Sequence, residues 1–213
     1  MRDLTLLLLT GEGGIAAQTD LAGRTLADAY QWASEAVKTR TRGALARALV
    51  HPGYALEAHP LEHGARFARG PALPELARWF ANADLELRRV ARETPGAGEV
   101  LCWPHHFDIA TLVVLASDAV GDPQRTVGVG LSPGDGFVSE PYAYVNHGPE
   151  TDRAALPPLA AGEWLREGST FAVLRGSDLA AAGGASDQRA RLRAFLDSAI
   201  AASRSLALEA VVG

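Results

Sequence analysis

Residues 103–108 read Trp-Pro-His-His-Phe-Asp, two adjacent imidazoles and a carboxylate at the head of the apolar run 109–116. Imidazole and carboxylate side by side suit two kinds of chemistry. Both can ligate a divalent metal, or the carboxylate can orient the imidazole as a general base. If 105–108 is extended, side chains alternate between faces, so His106 and Asp108 share one face while His105 goes with Phe107. Pro104 biases Trp103 toward extended geometry. The plainer reading is the start of a strand, with both histidines hydrogen-bonded to backbone.

A second dense segment follows the apolar stretch 127–131. Ser132-Pro133-Gly134-Asp135-Gly136 carries turn chemistry, with Ser and Pro suited to the turn start and Gly to positive φ. Asp135 is either a turn former or a carboxylate held at a strand end near His105 and His106. Glu140 then precedes Pro141, Tyr142 and Tyr144. The two tyrosines fall on one face of a strand, where they pack on the core or line a pocket. Weaker candidates lie elsewhere. His59 and His63 are four apart, but Pro60 between them disfavours the helix that would align them. His51 suits a surface position, and His147 follows the tyrosine strand. Ser132 lacks the Gly-x-Ser-x-Gly elbow of a hydrolase nucleophile. Gly11-x-Gly13-Gly14 leads into a second strand rather than a helix, so no nucleotide cofactor is expected.

These residues need elements to position them. The run 4–9, the turn at 12–14 and the run 15–21 predict an opening hairpin. Thr25 can cap a helix over 25–40 with Leu26, Tyr30, Ala33 and Val37 on one face. Basic residues in 38–47 suit its C-terminal end. A Pro/Gly/His-rich connector covers 51–74. Leu76, Trp79, Phe80, Ala83, Leu87 and Val90 form a helical stripe over 74–92, stopped by Pro95-Gly96. Three strands are expected from 99–103 running on through 108–116, then 125–131, then 142–146. Segments 163–165 and 170–174 suggest a further strand or hairpin. Ser186 can cap a last amphipathic helix, 187–207. Strands grouped in the middle with helices before and after argue for an α+β fold. The expectation is a mostly antiparallel central sheet over 99–175 flanked by three helices, with an N-terminal hairpin. The whole of 1–213 is read as one domain, compatible with a small subdomain over 1–50. Pairing of 108–116 with 125–131 as a hairpin would bring Asp135 back beside 103–108.

Composition narrows the class. Of 213 residues 47% are hydrophobic, as in a folded globular protein. A net charge of −5 offers no broad basic field, so no nucleic-acid partner is expected. The single cysteine, Cys102, excludes an internal disulfide framework and fits a reducing, cytoplasmic setting. No run approaches the roughly 20 apolar residues of a membrane span. The short apolar stretch at 4–10 is flanked by Asp3 and Glu12, which favours a buried strand over a signal segment.

Three segments together carry a resemblance: Trp103-Pro104-His105-His106-Phe107-Asp108-Ile109-Ala110-Thr111, Gly128-Val129-Gly130-Leu131-Ser132-Pro133-Gly134-Asp135, and Glu140-Pro141-Tyr142-x-Tyr144-Val145. With His59-Pro60 and 76–83 upstream, the chain resembles a bacterial family of unknown function over most of its length. Members of that family carry an aromatic residue where this chain has Asn146-His147. They also carry a His-Thr-Glu-Gly-Trp stretch where this chain has Leu165-Arg166-Glu167-Gly168-Ser169. The resemblance implies a shared fold and a shared site that in this chain lacks that histidine, and it supplies no reaction.

Two functions from different classes are therefore expected to compete. One is a metal-dependent, hydrolase-like enzyme acting on a small molecule. A Zn²⁺-like ion would be held by His106 and Asp108 with His105 or His59, and Asp135 or Glu140 would serve as base. The other is a non-catalytic ligand-binding or structural domain in which the His-His-Phe-Asp segment is a hydrogen-bonded packing motif. In either case Trp103, Phe107, Tyr142 and Tyr144 are the expected walls of a pocket.

Overall fold

The computed structural model describes residues 3–44, 49, 59–104, 106–151 and 154–210. The chain forms two compact units, Met1–Arg78 and Trp79–Gly213. The fold is α+β, with an N-terminal two-stranded hairpin and a six-stranded antiparallel sheet. Among the described residues no helix is long and apolar enough to cross a membrane.

In the first unit β1 (Thr5–Leu9) and β2 (Ile15–Asp20) pair antiparallel, from Thr5↔Asp20 to Leu9↔Ile15. Helix α1 (Leu26–Arg40) starts where the sequence places it. The Thr25 hydroxyl accepts the Asp28 N–H at 3.2 Å while the Asp28 carboxylate accepts the Thr25 N–H at 2.8 Å, so two otherwise orphaned donors are satisfied reciprocally. A short 3-10 turn, Pro60–His63, is closed by Gly64 at φ 85°, a conformation open to glycine. The Thr25↔Arg66 bridge ties this segment to the start of α1.

Helix α2 (Ala72–Glu93) carries its residues from Trp79 onward in the second unit. There the sheet order is β3-β4-β5-β6-β8-β7, antiparallel throughout. The strands are β3 (Leu101–Trp103), β4 (Asp108–Ser117), β5 (Pro123–Ser132), β6 (Tyr142–Gly148), β7 (Glu163–Glu167) and β8 (Ser169–Arg175). A short helix α3 (Gly176–Ala180) precedes α4 (Ala185–Glu209). Helix α4 packs against β5, β6 and β8, where Val127, Val129, Ala143, Val145, Ala172 and Leu174 are fully buried. Helix α2 is tied to α4 by Glu86, which accepts two hydrogen bonds from Arg193 at 2.8 and 3.0 Å. On the other face of the sheet Val138, from the loop between β5 and β6, packs with Tyr142, Phe171 and Val173.

The segment 103–108 departs from the expected continuous strand. Strands β3 and β4 are separate and antiparallel, with Trp103 opposite Asp108, and Pro104, His106 and Phe107 lie in the turn between them. Pro104 has no N–H for the ladder and its fixed φ suits a turn start, so it ends β3 instead of extending it. The Phe107 N–H closes the turn onto the Trp103 carbonyl at 2.7 Å, and Phe107 sits at φ 54°. Strand alternation therefore does not apply to His106 and Phe107. The last helix also begins earlier than Ser186 suggests, with Gly184 as its N-cap and its N–H held by Asp187 at 3.2 Å.

Candidate functional site

The site is built on the loop-covered face of the second unit's sheet. Register places Ala110, Gly130 and Tyr144 side by side across β4, β5 and β6, and Ser132 beside Tyr142. The Tyr144 ring lies across Gly130: a Cβ there would fall 2.5 Å from the ring carbon Cζ and 2.5 Å from the hydroxyl oxygen. Gly128 makes the same allowance for Asn146, whose Oδ1 accepts the Gly128 N–H at 3.0 Å. A strand reading Gly-x-Gly thus forms a floor with no side chains, over which residues of β6 can reach.

Across that floor the Tyr144 hydroxyl donates a short hydrogen bond to Asp108 Oδ2. Asp108 is only 5% exposed, and its Oδ1 has no hydrogen-bond partner among the described residues. The neighbouring tyrosine is paired in the same way, with the Tyr142 hydroxyl donating to Asp135 Oδ2 at 2.6 Å. Asp135 is otherwise committed. Its Oδ1 accepts the N–H groups of Phe137 and Val138 at 2.9 and 3.1 Å, holding the turn after β5. Ser132, opposite Tyr142 across β5–β6, accepts the Gly134 N–H at 3.1 Å. The two tyrosine rings are 6.0 Å apart at 50°. Burial, then the hydrogen bond and charge of the paired aspartate, push both phenols far above their ordinary pKa of 10. Both hydroxyls therefore stay protonated and act as donors to the carboxylates rather than as bases.

These groups line a cavity of about 210 Å³ together with His106, Phe137, Asn146, Ser169 and Phe171. Phe137 stands edge-on to Phe171 at 5.9 Å. Among the described residues two carboxylates and no Lys or Arg line the cavity, which gives it a negative bias.

Of the residues expected from the sequence, His106, Asp108, Asp135, Tyr142 and Tyr144 come together here. His105 lies outside the described residues, as does His51. Trp103 and Phe107 are not among the lining residues. The β3–β4 turn carries Phe107 onto Phe80, with ring centroids 5.3 Å apart, and leaves Trp103 38% exposed on the short edge strand β3. Glu140 is turned to structure. Its carboxylate accepts the Ser177 N–H at 2.8 Å and the Ser177 hydroxyl at 3.0 Å, tying the loop to the first turn of α3. Those bonds, led by the backbone N–H, hold its pKa below the usual carboxylate value, the wrong direction for a base poised near neutrality. His59 belongs to the first unit, where its Nδ1 accepts the Leu61 N–H at 3.2 Å as cap of the 3-10 turn. His147 lies one residue out of phase with Tyr144 and Asn146, so it falls on the other face of the sheet, edge-on to Trp164. Asn146, Ser169, Phe137 and Phe171 were not singled out from the sequence. Extending the Tyr142–Tyr144 alternation by one step would have found Asn146, and its partner across β6–β8 is Phe171.

A metal centre needs converging ligands. Among the described residues no group of three or more His, Cys, Asp or Glu is placed to hold an ion. Asp135 has already committed both oxygens, which leaves Asp108 and His106 as the candidate ligands on this wall among the described residues. The residues present do not make up a closed ligand set.

The second unit has a larger cavity, about 270 Å³, between α2, α3 and the start of α4, bordered by Trp79, Leu85, Leu179 and Leu192. Its charged groups satisfy each other, Glu86 lying 3.4 Å from Arg189 and 2.8 Å from Arg193. The partnerless polar atom there is the Trp79 indole nitrogen. An unpaired neutral N–H is far less costly to bury than an unpaired carboxylate oxygen, so the smaller cavity is the stronger candidate.

No protein-family model, curated protein or solved structure matches the chain.

Proposed function

We propose that the second unit is a small-molecule-binding domain whose ligand sits in the cavity walled by Asp108, Tyr142 and Tyr144. The observation that carries this reading is the partnerless Oδ1 of Asp108, a nine-tenths buried carboxylate on a cavity wall. Burying such an oxygen with no donor costs free energy comparable to a lost charged hydrogen bond, about 1–3 kcal/mol or more. A fold that needed only a packing motif would be served by an apolar residue at position 108 with phenylalanine at 144, which leaves no buried polar group to satisfy. A bound donor in the cavity removes the penalty and gives the residue a purpose. The surrounding architecture fits that purpose: rigid strands, a glycine floor, aromatic walls and a few convergent polar groups.

Metal-assisted hydrolysis is the second reading, favoured by His106 and Asp108 bordering one cavity. It requires a further ligand, for which His105 is the sequence's candidate. Elemental analysis of untagged protein separates the two readings, since stoichiometric zinc supports this one. The binding reading is tested by ligand-observed NMR with a fragment library against the wild-type chain and Ser169→Trp. Ser169 lines the cavity and is exposed, so the indole fills the cavity without disturbing the core. Hits lost in the variant at an unchanged melting temperature support the proposal. Hits that persist undiminished, or no hits, contradict it.

A further inference from the structure

Resting on that pocket reading, we propose that the ligand is a small organic cation, presenting an N–H-bearing ammonium to Asp108 and an apolar body to the aromatic walls. Three features of the cavity converge on this class. First, Asp108 needs a donor, and the cavity supplies only one. Tyr144 satisfies Oδ2, while Oδ1 has no partner among the described residues. A charged donor satisfies both the lone pairs and the charge, and such hydrogen bonds are about twice as strong as neutral ones.

Second, every tyrosine hydrogen in the cavity points at a carboxylate. What the phenols turn outward is oxygen lone pairs and ring faces, both of which attract positive charge. Asp135 adds a second negative charge without competing for the ligand's hydrogens, because the Phe137 and Val138 N–H groups and the Tyr142 hydroxyl already occupy its oxygens.

Third, among the described residues the lining contains neither Lys nor Arg, so a carboxylate, phosphate or sulfate would face two carboxylates with no Lys or Arg to offset them. The same features discriminate among cations and neutral donors. A quaternary ammonium has charge but no N–H for Oδ1. An alcohol has the hydrogen but not the charge. The volume of about 210 Å³ falls below the roughly 300–1,000 Å³ of drug-sized sites, which suits a compact molecule.

Four matched probes test this on the full chain by two-dimensional NMR titration at neutral pH: benzylamine, benzyl alcohol, benzyltrimethylammonium and benzoate. Benzylamine should bind at least tenfold tighter than the alcohol and the quaternary ion, and benzoate should not bind. Asp108→Asn, which keeps an acceptor for Tyr144 but removes the charge, should weaken benzylamine at least tenfold. If the alcohol, benzoate or the quaternary ion shifts the cavity resonances as strongly as benzylamine, the cationic assignment is overturned while the pocket reading stands. A benzylamine affinity within twofold of wild type in Asp108→Asn has the same meaning. If none of the four moves the cavity resonances although other fragments do, the class is again wrong and the pocket right. If nothing binds there, both fail. The four-probe comparison uses only the wild-type chain, so it decides the matter even where Asp108→Asn does not fold.

Discussion

Gly130→Ala is the smallest change that should break the site. The added Cβ would sit 2.5 Å from Tyr144 Cζ and Oη and 2.6 Å from Cε1, where carbon atoms rest at about 3.5–4.0 Å. The ring must therefore move by about 1 Å or more. That carries the hydroxyl out of the 2.5–3.0 Å range of an O–H···O bond, and Asp108 then loses the Tyr144 donor. The orphaned carboxylate oxygen costs about 1–3 kcal/mol, and forcing the ring aside adds about 1–3 kcal/mol of overpacking. Alanine's advantage over glycine in a strand returns about 0.5–1 kcal/mol. The net expectation is a loss of about 1–5 kcal/mol, a large share of a typical domain's 5–15 kcal/mol. Urea unfolding followed by circular dichroism measures it. The diagnostic is the double-mutant cycle: in a Tyr144→Ala background the ring is gone, and Gly130→Ala should become neutral or slightly stabilising. A Gly130→Ala chain within about 0.5 kcal/mol of wild type, or a penalty that persists undiminished without the ring, refutes the reasoning.

Other expectations follow from the same contacts. Tyr144→Phe keeps the ring but removes the donor, so it should cost about 1–3 kcal/mol and should cost much less once Asp108 is also replaced by Ala, which has no acceptor to lose. Glu86→Ala strands the cations around a buried carboxylate and should cost about 3–5 kcal/mol in urea unfolding. Although burial raises the Glu86 pKa, the hydrogen bond from Arg193 and the charges of Arg193, Arg89 and Arg189 bring it below 4.5. Its contribution is therefore present above that value and lost as pH falls through the lowered folded pKa. His147 is buried with neither ring nitrogen hydrogen-bonded, and burial, partly offset by Glu150, holds its pKa below 6.5. The unfolded chain takes up that proton first, so stability should be intact above pH 6.5 and fall below it by about 1.4 kcal/mol per pH unit until the folded pKa is reached. His147→Leu should flatten that segment of a pH series of urea midpoints, and an unaltered slope would count against the assignment. Glu140→Gln should leave benzylamine affinity within twofold of wild type, because its carboxylate serves Ser177 and not the cavity.

Much of this was readable in the chain, for identifiable reasons. Thr25 and Asp28 carry a capping box in three residues of spacing, and α1 begins there. The stripe Phe80, Ala83, Leu87, Val90 is buried in α2 as its period demands. The β4–β5 hairpin, with Ile109 opposite Leu131, returns Asp135 to the side of Asp108, as antiparallel geometry requires. What failed was local. Trp103-Pro104-His105-His106 reads equally well as strand or turn, and the choice depended on whether Pro104 extends the chain or ends it. Glu140 has the residue type of a base, but only the tertiary fold brings Ser177 to it. Likewise Gly128 and Gly130 look like breaks in an apolar strand. Their use as a floor becomes visible only when Tyr144 and Asn146 are seen lying over them.

The central claim is that the cavity at Asp108 is the ligand site. Backbone amide shift mapping with the strongest-binding fragment tests it most directly. The account expects the largest shifts at Gly130, Ser132, Tyr144, Asn146 and Phe171, and their loss in Asp108→Asn. Shifts centred on Trp79, Leu179 and Leu192, with those five unmoved, would place the ligand in the other cavity and contradict it.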